Sequence, residues 1–205
     1  MEEKYAEDLR EIKEIMNRSS RFISLSGLSG ISAGVSALLG AFVAYRTVFA
    51  DQDYPDYHRV VLTGESLTQL LLIAIGTLLL AIGTGIYFTT RETGKRNQKA
   101  WDYQTKRLLI NLSIPLLTGG LLCLNLLFRG YVGMVAPLTL IFYGLALVNA
   151  GKYTLGVVRS LGVMEIVLGL LAMYFTGSGL LLWSVGFGGL HIGYGLFMQW
   201  KYKKS

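Results

Sequence analysis

The side chains able to do chemistry are few, and most stand where charge is costly. Glu165 is the one carboxyl in the apolar run Ser160–Thr176, and between Gly179 and Trp200 His191 is the one residue among Asp, Glu, Lys, Arg and His. Ionisable groups inside an apolar span are functional candidates by default. Asn149 and Lys152 close the preceding run, Asn111 opens another with Ser113, and Ser26 stands near the start of the first. Glu165, His191, Asn149, Lys152, Asn111 and Ser26 are therefore expected to line one polar cavity, biased towards one end of a helix bundle. Glu165 with His191 or Lys152 is the expected pair. A carboxylate and an imidazole brought together can hold charge and respond to protons near physiological pH. The plainer role is a hydrogen bond from each to a neighbouring helix, the role expected of Thr118, Asn125 and the serines.

Glu165 and His191 could act as acid and base, but nothing accompanies them. The sequence holds no His-Glu-x-x-His, no Gly-x-Ser-x-Gly, no phosphate-binding glycine loop followed by Lys and no Cys-His pair. A single cysteine, Cys123, excludes an internal disulfide and a multi-cysteine metal site. Asp51, Asp53, Asp56 and His58 lie close together without the glycine and ligand spacing of a calcium loop, so they read as a solvated acidic loop. The expectation is a protein without catalytic residues, metal or cofactor.

The elements that must position these side chains follow from charge distribution. Charged residues make up 16% of the 205 residues, against about 25% in soluble domains. Six of the 13 acidic residues precede residue 15, leaving long uncharged runs. A bilayer core of about 30 Å takes roughly 20 apolar helical residues. Runs meeting that length cover about 22–45, 66–90, 108–128, 134–153, 160–176 and 179–200, the fourth with its helix proper starting at Pro137. Segments such as Leu70–Ile75 do not alternate, which argues against a β-barrel. The acidic, apolar-poor first residues predict no cleavable signal peptide.

Of the 19 Lys and Arg, all but Arg46, Arg59 and Arg129 fall on one side of this six-span arrangement. Retention of basic loops in the cytoplasm then puts both termini there. The net charge of +6 is a topology signal, with no nucleic-acid partner implied.

The first twenty residues form a separate element. Within Glu2–Asn17, Tyr5, Leu9, Ile12 and Met16 make an apolar stripe at helical spacing, beside six acids and three bases. Membrane-surface helices are usually basic on their polar face, so an acidic one suits a protein surface. The connection 91–107, with Lys95, Arg96, Lys99 and Trp101, offers six basic against two acidic residues, either as a docking place or as part of a surface for a cytoplasmic protein partner.

Ile82-Gly83-Thr84-Gly85-Ile86-Tyr87, Val148-Asn149-Ala150-Gly151-Lys152-Tyr153 and Ile192-Gly193-Tyr194-Gly195-Leu196-Phe197 each place a glycine two residues before an aromatic. They predict three tandem helical hairpins, a parallel internal repeat. Ser26, Gly30 and Gly34, then Ala37 and Ala41, form a small-residue stripe suited to close helix contact, within the bundle or with a second copy in a homo-oligomer.

Gly162-Val163-Met164-Glu165-Ile166-Val167-Leu168-Gly169 and Gly186-Phe187-Gly188-Gly189-Leu190-His191-Ile192-Gly193 resemble the last hairpin of the short-repeat bacterial acid-resistance membrane proteins, over about 35 residues. That resemblance implies six spans in three hairpins. Arg18-Ser19-Ser20-Arg21-Phe22-Ile23-Ser24-Leu25-Ser26-Gly27-Leu28-Ser29-Gly30 resembles the start of a group of six-span Bacteroidetes inner-membrane proteins, which brings no activity with it. The expected fold is thus all-α: a cytoplasmic amphipathic helix (1–20) and a six-helix transmembrane domain (21–205) in the bacterial inner membrane. The expected function is non-catalytic, sensory, regulatory or stress-related, coupling a membrane cavity to a cytoplasmic partner. A small transporter or channel through the Glu165/His191 region is the alternative.

Overall fold

A computed structural model describes residues 26–50, 63–95, 103–154, 156–175 and 177–202. Among them there is no strand, and six helices are long and apolar enough to cross a membrane. Helix is the arrangement that satisfies every backbone polar group within one segment when lipid offers no partners. The helices are α1 (Gly27–Ala44, continued by a π-helical turn, Tyr45–Phe49), α2 (Gly64–Lys95), α3 (Tyr103–Phe128), α4 (Val135–Ala150) and α5 (Gly156–Tyr174). The last, α6, has three parts: Gly179–Trp183, a π-helical segment Ser184–Leu190, and His191–Tyr202. The expected helix over 1–20 lies outside the described residues, as does the acidic loop with Asp51, Asp53, Asp56 and His58.

Local chemistry sets the ends. The Ser26 hydroxyl caps α1 by accepting from the Leu28 N–H at 3.2 Å. The turns before α4 and α6 place Gly130 at φ 84° and Gly177 at φ 98°, a conformation that costs glycine nothing. A short 3₁₀ turn, Val132–Met134, leads into α4, which begins two residues before Pro137 and keeps that proline in its first turn. The helix expected over 160–176 starts earlier, at Gly156. At 32 residues, or about 48 Å, α2 exceeds the hydrocarbon thickness.

In packing order the neighbours run α2, α1, α6, α5, α4, α3, with the most extensive contacts between α4 and α5, α1 and α2, α3 and α4, and α1 and α6. Two of these contacts are glycine crossings. A Cβ on Gly34 would meet the Gly188 carbonyl at 2.7 Å, and one on Gly162 would meet the Gly144 carbonyl at 2.7 Å. The small stripe of α1 is thus filled from within the chain, by α6. Close backbone approach gives dispersion contacts where no hydrophobic effect draws helices together.

The two ends of the bundle differ. One, the basic end, carries Arg107, Lys152, Arg159 and Lys201. At the far end Val48, Phe49, Leu127 and Val132 are buried together, with Leu67, Leu70, Val135 and Leu180 packed on them. Large side chains on the flanks, including Leu72, Leu79, Leu117 and Leu121, are more than half exposed. So much apolar surface is a liability in water and the proper boundary with lipid.

Candidate functional site

Three polar side chains converge halfway along their helices. Glu165 lies nine residues from either end of α5, His191 twelve residues into α6, and Tyr143 eight residues into α4. At 1.5 Å per residue, Glu165 sits about 14 Å from each end of its helix. This is mid-depth, deeper than a span beginning at Ser160 implies. Glu165 has no exposed surface and His191 is buried.

Hydrogen-bond partners fix the state of His191. Its Nδ1 is 3.1 Å from the Gly186 carbonyl oxygen, which can only accept, so Nδ1 carries the proton and donates. Nε2 is then an acceptor for the Tyr143 hydroxyl, 2.7 Å away. This tautomer, assigned from the partners, satisfies both ring nitrogens of a neutral imidazole. Glu165 Oε1 lies 3.4 Å from the same Nδ1, within ion-pair reach. Neither carboxyl oxygen of Glu165 makes a hydrogen bond. The contact is therefore a proximity: Nδ1–H is directed to Gly186, and Glu165 stands beside it unbonded.

The π-helical segment explains how three groups fit there. Short π-helical stretches inside α-helices recur at functional sites. Gly186 lies within this one, and a Cβ on it would overlap Glu165 Oε2 and Leu140 Cδ2. Its missing side chain makes room for the carboxyl, and its carbonyl receives the imidazole. Trp183, Phe187 and His191 follow at four-residue intervals. The Phe187 ring centroid is 4.8 Å from Trp183, 4.8 Å from Tyr143 and 5.9 Å from the stacked His191 ring. The polar trio is walled by aromatics on the α6 side.

The other expected cavity residues lie elsewhere. Pro115 inside α3 has no N–H to give the carbonyl of Asn111, four residues earlier. Asn149 of α4 supplies the missing donor, its Nδ2 bonding Asn111 O at 3.0 Å, while Asn111 Nδ2 bonds back to Arg107 O at 2.8 Å. This pair is a repair of a proline break and a tie between helices. Lys152 is exposed beside it and does not meet Glu165. Ser26 is the α1 cap. Thr118, Ser113, Ser36 and Ser184 each bond to a carbonyl four residues back in their own helix, and Asn125 is exposed, so these residues do not form the expected interhelical bonds. In place of one six-residue cavity there is a buried Glu165–His191 contact and a separate Asn149–Asn111 bridge.

Leu9, Ile12, Met16, Arg96, Lys99 and Trp101, the expected partner surface, lie outside the described residues, and Lys95 is the last residue of α2. Sequence reasoning missed Tyr143. The signal was present, since tyrosines of membrane spans favour the interfaces, whereas this one stands in the middle of an uncharged run. Among the described residues no three His, Cys, Asp or Glu side chains group together. With Nδ1 already protonated, the imidazole can pass that proton to a Glu165 carboxylate once Nε2 has taken one up, and the unbonded carboxyl can meet a small polar ligand. Comparisons with protein-family models, with characterised proteins and with solved structures find no significant match to the chain.

Proposed function

We propose that this chain is a non-catalytic, multi-pass inner-membrane protein with a sensory or regulatory role, in which the Glu165–His191–Tyr143 group registers a proton or a small polar ligand. The observation that carries the reading is the Glu165 carboxyl: at mid-depth, without exposed surface, beside an imidazole, and without a hydrogen bond of its own. Such a group is expensive in a membrane, and a change in its partner or its proton would act on the π-helical segment beside it. The signal would leave through the basic end, where the N-terminal segment and the connection 91–107 would meet a cytoplasmic protein. In this reading the six helices form three hairpins, with both termini in the cytoplasm.

A small transporter or channel is the second reading, favoured by the mid-depth position of the three polar groups. The apolar cluster of Val48, Phe49, Leu127 and Val132 at the far end weighs for the sensor, because a polar solute would have to cross it.

One experiment separates the two. Wild type and Glu165→Gln are reconstituted in liposomes, and tryptophan fluorescence and solute or proton flux are followed from about pH 5 to 8, where imidazoles titrate. The sensor reading expects a fluorescence change in wild type, none in the variant, and flux in neither. Flux in wild type that the variant loses would establish the transporter. Identical fluorescence and no flux in both would reduce the protein to a passive scaffold. Cysteine-accessibility labelling near Lys99, Lys203 and Tyr54 tests the orientation: the first two positions should react from the cytoplasm, the third from outside.

A further inference from the structure

A groove of about 410 Å³ runs between α3 and α4, apart from the Glu165 site. Its walls include Pro115, Phe142, Leu145 and Val148, and its upper end is Asn149 and Lys152. Lys152 and Phe142 are ten residues apart, about 15 Å along a helix, which is the depth of one leaflet. Phe142 packs where a Cβ on Gly119 would otherwise sit, closing the groove at mid-membrane.

Lys152 lines the mouth, and on the facing helix Arg107 lies just beyond the groove, its guanidinium 4.6 Å over the Tyr103 ring. Lys152 stands three residues beyond Asn149, and Arg107 stands one turn beyond Asn111, so the Asn149–Asn111 bond brings the two cations to the same level. Arg159 lies beside Gly151, the residue before Lys152, its Cβ 3.0 Å from where a Gly151 Cβ would be. All three are exposed. The sequence from Tyr103 to Met164 contains no Asp or Glu, so the α3–α4 walls supply no carboxylate to neutralise them.

We infer that this groove is a binding site for an anionic phospholipid of the leaflet at the basic end, its phosphate at Lys152 and Arg107 and one acyl chain along Leu145, Val148 and Phe142. Charge complementarity and depth select this occupant. Basic pockets between spans hold anionic headgroups, a leaflet-deep apolar slot suits an acyl chain, and the volume falls within the usual range of ligand sites. A zwitterionic lipid fills the slot equally well but gains nothing from the cations. Free phosphate meets the cations but leaves the slot empty.

The full chain, purified in neutral detergent, is titrated with phosphatidylglycerol, phosphatidylcholine and inorganic phosphate, with thermal stability and native mass spectrometry as readouts. Phosphatidylglycerol should be retained and should raise the melting temperature, whereas phosphatidylcholine and phosphate should not. Lys152→Gln with Arg107→Gln should weaken retention about fivefold for each charge removed. Leu145→Trp, which fills the slot at an exposed position and leaves the charges alone, should weaken it as well. Equal retention of phosphatidylcholine, a melting shift with phosphate alone, or undiminished phosphatidylglycerol binding in either variant would overturn the proposal.

Discussion

Two glycine-rich parts of this molecule read alike in sequence and behave in opposite ways. In α4 and α5, Gly144, Gly162 and Gly169 lie against the backbone of the facing helix, each where a Cβ would come within 2.9 Å of a facing atom. In α2, Gly76, Gly83, Gly85 and Gly94 have nothing within 4 Å of a Cβ position. A third of the most apolar stretch of α4 and of α5 is buried, and none of that of α2. Small residues are therefore a permission for close approach. Whether it is used depends on having a second helix with small residues at matching height, as Gly144 has in Gly162. Lacking such a partner among the described residues, α2 leaves these glycines uncovered.

The sharpest break of that comparison is one substitution made in both places. Gly162→Ala puts a methyl 2.7 Å from the Gly144 carbonyl and 2.9 Å from the Val148 amide, both backbone atoms that cannot swing aside. Overpacking of this kind costs about 1–3 kcal/mol, and the upper part of that range is expected. Thermal unfolding in detergent should show a large drop. A variant as stable as wild type would mean that α4 and α5 do not cross at these glycines.

The next largest effect separates the polar trio into its real partners. His191→Ala removes the acceptor of the Tyr143 hydroxyl, leaving that group unbonded, and the side-chain donor to Gly186 O, a carbonyl that stays in the backbone bonding of the π-helical segment. A cost of about 2 kcal/mol follows, since an unbonded group of this kind is worth about 1–3. In double-mutant cycles, His191 should couple to Tyr143, tested as Tyr143→Phe, more strongly than to Glu165, tested as Glu165→Gln. Glu165→Gln should keep the fold, because the amide has the carboxyl's shape. A larger coupling to Glu165 would mean that the imidazole donates to the carboxylate and not to Gly186.

These cases show what the sequence could and could not reveal. Six spans, and Glu165 and His191 as the buried pair, were legible because charge in lipid is costly enough to leave one-residue signatures in long apolar runs. The π-helical segment was not, because Ser184–Leu190 is apolar and glycine-rich like its surroundings. Asn149 and Lys152 were grouped with Glu165 by their shared nearness to one end. Position along a helix does not give the face, and Asn149 turns to α3 while Glu165 turns to α6. The proline rule connecting Pro115 to Asn111 was available, but the residue that repairs the break lies 38 positions away from the freed carbonyl. The repeat motif also ends differently in its copies: Gly195 packs tightly on Gly27, whereas Gly83, Gly85 and Gly193 touch nothing.

A smaller effect tests that repair. Asn149→Ala removes one interhelical bond, worth about 0.6 kcal/mol on average in membrane proteins and up to about 1.7. Pro115→Ala restores an N–H at position 115 that can bond Asn111 O within α3. The cost of Asn149→Ala should then largely disappear in the Pro115→Ala background. An undiminished cost in that background would show that Asn149 serves something other than the freed carbonyl.

The smallest effect has the opposite sign and returns to α2. Gly83→Ala places a methyl in open space, at a position whose backbone is helical and which has no described residue within 4 Å of the added Cβ. Glycine within a helix costs about 0.5–1 kcal/mol relative to alanine because the unfolded chain loses more freedom on ordering. With no contact to disturb, Gly83→Ala should raise stability by about 0.5 kcal/mol, the reverse of Gly162→Ala. Gly76→Ala, in the same helix and equally open, should behave alike. If instead both substitutions destabilise the purified protein, and do so more at higher protein concentration, then the open side of α2 is covered by a second copy of the chain. The glycines that look idle within one molecule would then be the contact between two.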